Sequence, residues 1–124
     1  MMTLNVLKVG GAVVENTAAL SAFIDSFAAV DGLKVLVHGG GRTATDVSAR
    51  LGIETTMVGG RRVTDEATLK VVTAVYTGLV NKNVVASLQG RGVNAFGLCG
   101  ADFGFIQSVR RPVTAEGVDY GFVG

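Results

Sequence analysis

Apolar residues fall into two kinds of run along this chain. Short, nearly unbroken blocks end in glycine: Val6-Leu7-Lys8-Val9 before Gly10-Gly11, and Val35-Leu36-Val37-His38 before Gly39-Gly40-Gly41. Elsewhere apolar positions recur every three or four residues, the period of a helix with one buried face. The first block predicts a buried strand over residues 3–9. Residues 16–29 predict a helix, capped by Asn16 or Thr17, with Leu20, Phe23, Ile24, Phe27 and Ala28 on one face. Asp31-Gly32 turns the chain into a second strand at 33–37. A strand–helix–strand unit of this length makes the two strands parallel, with a right-handed crossover.

After Gly41 the pattern predicts a helix from about Thr43 to Leu51, ended by Gly52 in a left-handed conformation. Residues 53–58 suit a short strand, which Gly59-Gly60 turns back towards Arg61, Arg62 and Val63. Thr64 is the expected cap of the next helix, with Asp65 and Glu66 against its positive end and Leu69, Val72, Val75 and Tyr76 on its apolar face. Gly78 is expected to break it. A further helix then carries Leu79, Val80, Val84, Val85 and Leu88 and stops at Gly90-Arg91-Gly92. Val93–Leu98 reads as a buried strand, and residues 103–109 and 118–123 as a hairpin around Pro112. Alternating strands and helices predict an α/β fold, a three-layer α/β/α sandwich with a mostly parallel sheet. The last residues alternate like the start of a strand and then stop, so a truncated piece of a longer chain is expected.

Composition narrows the function. The chain has 124 residues, 48% hydrophobic and 17% charged, with 11 Lys plus Arg against 10 Asp plus Glu. A balance that close gives no argument for nucleic acid or an acidic membrane surface as partner. No uncharged apolar run reaches the roughly 18 residues of a membrane span, and no leader is visible, so a cytoplasmic protein is expected. The single cysteine, Cys99, excludes an internal disulfide and reads as a small buried apolar side chain.

The glycine clusters carry the chemistry. Consecutive glycines at a strand end leave backbone N–H groups uncovered, ready for phosphate or carboxylate oxygens. Ligands of parallel sheets bind beyond the C-terminal strand ends, where both clusters fall. Neither G-x-G-x-x-G nor G-x-x-x-x-G-K-[ST] occurs, so the two common nucleotide loops are absent. The plain alternative for Gly39–Gly41 is close strand–helix packing. Lys8, just before a strand end, either reaches water or neutralises a transferred phosphoryl group; its place beside Gly10-Gly11 favours the second reading. His38 has no acid or second histidine at ligand spacing and reads as a hydrogen-bonded structural residue. Arg61 and Arg62 form either a solvated pair or a grip for a carboxylate. Arg110-Arg111 reads as a solvated turn, and Asp102 as an isolated acid.

Taken together, Lys8-Val9-Gly10-Gly11, Val37-His38-Gly39-Gly40-Gly41, Gly60-Arg61-Arg62-Val63-Thr64-Asp65 and Gly78-Leu79-Val80-Asn81-Lys82 resemble the ordered N-terminal motifs of the amino-acid kinase family. The match is strongest with members that phosphorylate N-acetyl-L-glutamate in arginine synthesis. Gly97–Asp102 and Tyr120–Gly124 have counterparts there too, so the resemblance spans nearly the whole chain. It implies that Lys8 stabilises the phosphoryl group in flight and that Gly10 and Gly11 lie near the nucleotide phosphates. It implies that Gly40 and Gly41 hold the acylated amino acid and that Arg62, rather than Arg61, binds its α-carboxylate. ATP with Mg2+ is the implied co-substrate and a homodimer the implied assembly. Residues 1–124 would then be the N-terminal, amino-acid-binding half, with the ATP-binding half absent. Competing readings are a sister kinase for N-succinylglutamate, an aminoadipate derivative or aspartate, and a non-catalytic amino-acid-binding or dimerisation fragment.

Overall fold

The computed structural model describes residues 3–104 and 106–124. Strands β1 (Leu4–Val9) and β2 (Leu33–His38) pair in parallel, from Leu4 opposite Leu33 to Val9 opposite His38. Helix α2 (Thr17–Ala28) makes the crossover between them, after a single turn of helix, α1 (Gly11–Val14). Asn16 caps α2 by accepting a hydrogen bond from Ala19 N at 2.9 Å. At the other end Lys34 Nζ donates to the carbonyls of Phe27, Ala28 and Val30, placing a cation where the helix dipole is negative. One β2 side chain thus locks the helix to the strand that follows it.

Helix α3 (Gly41–Arg50) begins two residues before the expected Thr43. It ends at Gly52, whose φ of +70° is left-handed as expected. Gly52 N donates to Ala49 O and Ile53 N to Ser48 O, the paired bonds of a Schellman stop. The strand expected over 53–58 shrinks to β3 (Met57–Val58), which pairs antiparallel with β4 (Arg61–Arg62). Gly59 and Gly60 form the turn, both with positive φ, as two-residue hairpins require.

Asp65, not Thr64, caps the next helix, its carboxylate accepting from Thr68 N at 2.8 Å. Thr64 is committed elsewhere: its N–H donates to Tyr120 O and its carbonyl accepts from Phe122 N, an isolated parallel bridge to Gly121. Gly78 does not break the helix either. Helix α4 (Glu66–Thr73), a π-helical stretch (Ala74–Val80) and α5 (Asn81–Gln89) run on continuously. Burial of Val75 and Val80 on both sides of Gly78 outweighs the roughly 1 kcal/mol that a helical glycine costs against alanine. The buried stripe runs through Thr68, Val71, Val75, Val80, Val84 and Leu88, so α4 is rotated away from Leu69 relative to the expected face. At 24 residues this helix has the length and apolar character of a membrane span. Its stripe instead packs into the protein, as in a core helix.

Two apolar clusters result. Val9, Val14, Ala44, Val71, Val75 and Val80 form one, and Ile24, Phe27, Val84 and Leu88 the other, with Phe23 and Leu36 touching both. Both lie on one side of the sheet. On the other side Leu4, Val6, Leu33, Val35 and Val37 are exposed, so the expected three layers are two among the described residues. Val93–Leu98 does not join a sheet. Its alternation of half-buried and exposed positions is that of a strand, but no ladder forms among the described residues. The expected hairpin of 103–109 with 118–123 is also absent, Phe105 lying outside the described residues. Instead Arg111 N donates to Val123 O and Thr114 N to Val118 O, while residues 120–122 bond to Thr64. Competition from Thr64 for the backbone of 120–122 explains the shift.

Candidate active site

Parallel pairing brings the two glycine clusters to the same end of the sheet, side by side. A Cβ built on Gly39 would lie 3.5 Å from Gly11 N, and one on Gly11 would lie 3.8 and 3.9 Å from the nitrogens of Gly40 and Gly41. Gly10 caps α1, its carbonyl accepting from Val13 and Val14 N–H. Gly40 caps and Gly41 begins α3. Two helix N-termini and two strand ends therefore converge on one spot, a geometry that favours anions. Among the described residues the N–H groups of Gly40 and Gly41 have no hydrogen-bond partner.

Packing accounts for part of the glycine run. A side chain at Gly40 would meet Tyr76 Cδ1 at 2.9 Å and Val80 Cγ2 at 3.1 Å, whereas one at Gly10 would meet nothing within 4 Å. Packing therefore demands a glycine at position 40 and places no such demand on position 10.

Arg62 and Arg61 separate cleanly. Antiparallel pairing of β4 turns Arg62 inwards, where Nη2 donates to Gly41 O at 3.0 Å and to Thr45 Oγ1 at 2.9 Å, and Nη1 to Thr55 Oγ1 at 3.2 Å. Arg61 is exposed. The inward guanidinium thus stands directly on the glycine loop. Lys8, opposite Val37, projects from the uncovered face of the sheet and is exposed. It sits one turn of pleat before Gly10, at the same strand end as the glycines, and no ion pair holds it among the described residues.

Two features escaped the sequence. Glu15, just past α1, reaches across to the start of α3: its Oε1 accepts from Thr43 N at 2.9 Å and Thr43 Oγ1 at 3.3 Å, while Oε2 is buried without a partner. The positive end of α3 is thereby partly neutralised from within, while the N–H groups of Gly40, Gly41 and Arg42 have no partner among the described residues. The second is a chain of polar contacts behind the glycine loop. His38 Nδ1 lies 3.0 Å from Gly39 O and Nε2 3.1 Å from Asn81 Nδ2, and Lys82 Nζ donates to Asn81 Oδ1 at 3.0 Å and to Gly97 O at 3.1 Å. His38 is the hydrogen-bonded structural histidine its surroundings suggested. With 43 positions between His38 and Asn81, no local signal in the sequence connected them.

Asp102 accepts from Cys99 N, and that backbone hydrogen bond holds its carboxyl below the ordinary aspartate value, with Lys82 assisting. It bends the 99–102 turn rather than meeting other acids. Among the described residues no group of three or more His, Cys, Asp or Glu is placed to hold a metal. Arg110, expected in a solvated turn, pairs with Asp119 at 2.8 Å on the surface, and Arg111 stacks over the Tyr120 ring.

Glycine-ended parallel strands, an inward arginine and converging helix N-termini make this an α/β domain with its candidate site at the C-terminal end of the sheet. Residues 3–121 match the amino acid kinase family, and the chain belongs to that family. Its curated relatives include proteins named acetylglutamate kinase. One from Bacteroides thetaiotaomicron is 64% identical over 121 residues, covering 98% of this chain and 46% of the relative. One from Parabacteroides distasonis is 61% identical over 124 residues, covering 100% and 48%. One from Methanopyrus kandleri is 44% identical over 123 residues, covering 98% and 47%. The chain spans about half the length of the curated relatives it matches. The crystal structure of smu.665 from Streptococcus mutans UA159 shares the fold, with a TM-score of 0.60 at 24% identity over 72% of this chain and 37% of that one.

Proposed function

We propose that this chain is the amino-acid-binding half of an ATP-dependent kinase that phosphorylates the γ-carboxylate of N-acetyl-L-glutamate, in arginine synthesis. The names of its relatives support the reaction. The observation that carries the reading is the convergence of Gly11 with the unpaired N–H groups of Gly40 and Gly41, with Arg62 bonded to the Gly41 carbonyl. The γ-carboxylate is already ionised near neutral pH, so no general base is required. What the transfer requires is two repelling anions held in line and the charge of the moving phosphoryl group neutralised. Gly40 and Gly41 bind the acceptor and Arg62 its α-carboxylate. Gly10 and Gly11 face the nucleotide phosphates. Lys8 offers its ammonium to the phosphoryl group, a preset charge where negative charge moves.

ATP supplies the phosphoryl group, and the remaining half of the protein its adenine pocket. Mg2+ would enter with ATP, and the described residues form no acidic cluster of their own for it. The protein is a cytoplasmic homodimer in this reading. The test is calorimetry and coupled phosphoryl-transfer assays on the full-length protein with N-acetyl-L-glutamate, N-succinyl-L-glutamate and L-aspartate. Saturable ATP-dependent phosphorylation of N-acetyl-L-glutamate is expected. Turnover of another acceptor alone makes this a sister kinase, and binding without turnover makes it a binding module; either refutes the proposal.

A further inference from the structure

We infer that Lys82 and Asn81 are positioning residues: they set the tautomer of His38 and, through it, the direction of the Gly40 N–H. The argument begins with a group that can only donate. An ammonium has no acceptor, so Lys82 Nζ, 3.0 Å from Asn81 Oδ1, fixes that atom as the acceptor end of the amide. The other end, Nδ2, carries only donors and faces His38 Nε2 at 3.1 Å. Nε2 must therefore be the bare nitrogen of a neutral ring, and the proton belongs to Nδ1. From there it is donated to Gly39 O at 3.0 Å.

The consequence reaches the site through the peptide plane. In a trans peptide the C=O and the following N–H point in opposite directions. Holding Gly39 O against His38 directs the Gly40 N–H away from the histidine. Gly40 N is one of the unpaired donors beside Gly11, so the chain Lys82–Asn81–His38 aims a proposed substrate contact without touching substrate. Two further observations fit a built relay. Asn81 is buried at 8% exposure, where an amide of undefined orientation would be costly. A Cβ at Gly97 would fall onto Asn81 Oδ1, so that glycine leaves room for the amide while its carbonyl accepts the second Lys82 bond.

The link to substrate rests on the proposed function; the tautomer does not. His38 is the single histidine of the chain, so histidine-selective 15N labelling gives one pair of ring signals. The wild-type protein is expected to show a protonated Nδ1 and a bare Nε2, the reverse of the common free tautomer. Asn81→Asp presents an acceptor to Nε2 and is expected to move the proton there. Lys82→Met, at an exposed position that tolerates the change, frees the amide to turn and is expected to give a clear Nε2–H population. Lys82→Arg keeps a pure donor and is expected to restore the wild-type signals. In the full-length protein the first two variants should raise the KM for the acyl-amino acid about tenfold, the effect of one misdirected hydrogen bond, with kcat changing less. A wild-type ring protonated at Nε2, or a tautomer unmoved in both variants, overturns the inference. The expected tautomers in a protein that phosphorylates no acyl-glutamate would instead count against the proposed function alone.

Discussion

The two faces of the β1–β2 sheet are made of the same residue types and behave in opposite ways. Leu7, Val9 and Leu36 pack against the helices, while Val6 at 63% exposure and Leu4 at 56% face outwards. The charged residues of the site divide along the same line. Arg62 is tied down by three hydrogen bonds at the glycine loop, and Lys8 stands on the uncovered face with none among the described residues. Burial and chemistry are thus decoupled here. What is held most tightly shapes the loop; what is held least is the charge proposed to meet the phosphoryl group.

Arg62 and Lys8 give the sharpest way to break that contrast. Arg62→Ala in the full-length protein should weaken acyl-glutamate binding by about 2–5 kcal/mol. It should also lower stability, because Gly41 O, Thr45 and Thr55 lose their partner. Lys8→Ala should lower kcat by about 10²–10³-fold, the range for losing one preset transition-state charge, and leave the unfolding midpoint unchanged. Steady-state kinetics beside thermal unfolding separates the two. A Lys8→Ala enzyme with near-normal kcat, or an Arg62→Ala enzyme with an unaltered KM, removes that residue from the mechanism.

The division between faces also marks what the amino-acid sequence could disclose. The strand–helix–strand unit was legible because α2 repeats Leu20, Phe23, Ile24, Phe27 and Ala28 at helical spacing between two glycine-ended apolar blocks. Local chemistry was sufficient for Asn16 and Gly52 as well. Apolar blocks such as Val35-Leu36-Val37 carry no record of which face is covered, so the third layer was expected and does not form among the described residues. Non-local competition explains the other differences. Tyr120 and Phe122 engage the backbone of Thr64, so Asp65 became the cap, and 118–123 lost its expected partner. Of the candidate site, the strand-end glycines and the arginine pair were legible as local motifs, but which arginine turns inwards depends on the β3–β4 pairing. Glu15 on Thr43 and Asn81 on His38 span 28 and 43 positions, too far for spacing alone to connect.

Core truncation sharpens the comparison between faces. Ile24 is fully buried between α2, α5 and the sheet, so Ile24→Ala should cost about 2–5 kcal/mol in urea unfolding. Val6→Ala, one strand face away, should stay within about 0.5 kcal/mol. Equal losses at the two positions would mean that the outer face is covered in solution. Gly40→Ala comes next, at about 1–3 kcal/mol, because the new methyl must displace Tyr76 or Val80. In a Tyr76→Ala background, itself destabilised, the same glycine substitution should cost much less; an unchanged cost would mean that the glycine is required for its backbone and not for its space.

The smallest effect is the most local. Asp65 caps α4, and the N–H of Thr68 holds its carboxyl below the ordinary aspartate value. A carboxyl whose folded value is depressed stabilises the native state above its unfolded value, and that contribution is lost as pH falls through the folded one. Stability should therefore decline at acid pH in part through this residue. Asp65→Asn keeps an acceptor for Thr68 N and should be close to wild type in acid, slightly weaker at neutral pH where the charge also favours the helix dipole, and flatter between the two. Unfolding midpoints measured from pH 2 to pH 7 for both proteins test this. Parallel curves would assign the acid sensitivity to other carboxylates, such as Asp25 beside Arg91 or Asp119 on Gly121 N, whose values are lowered in the same direction.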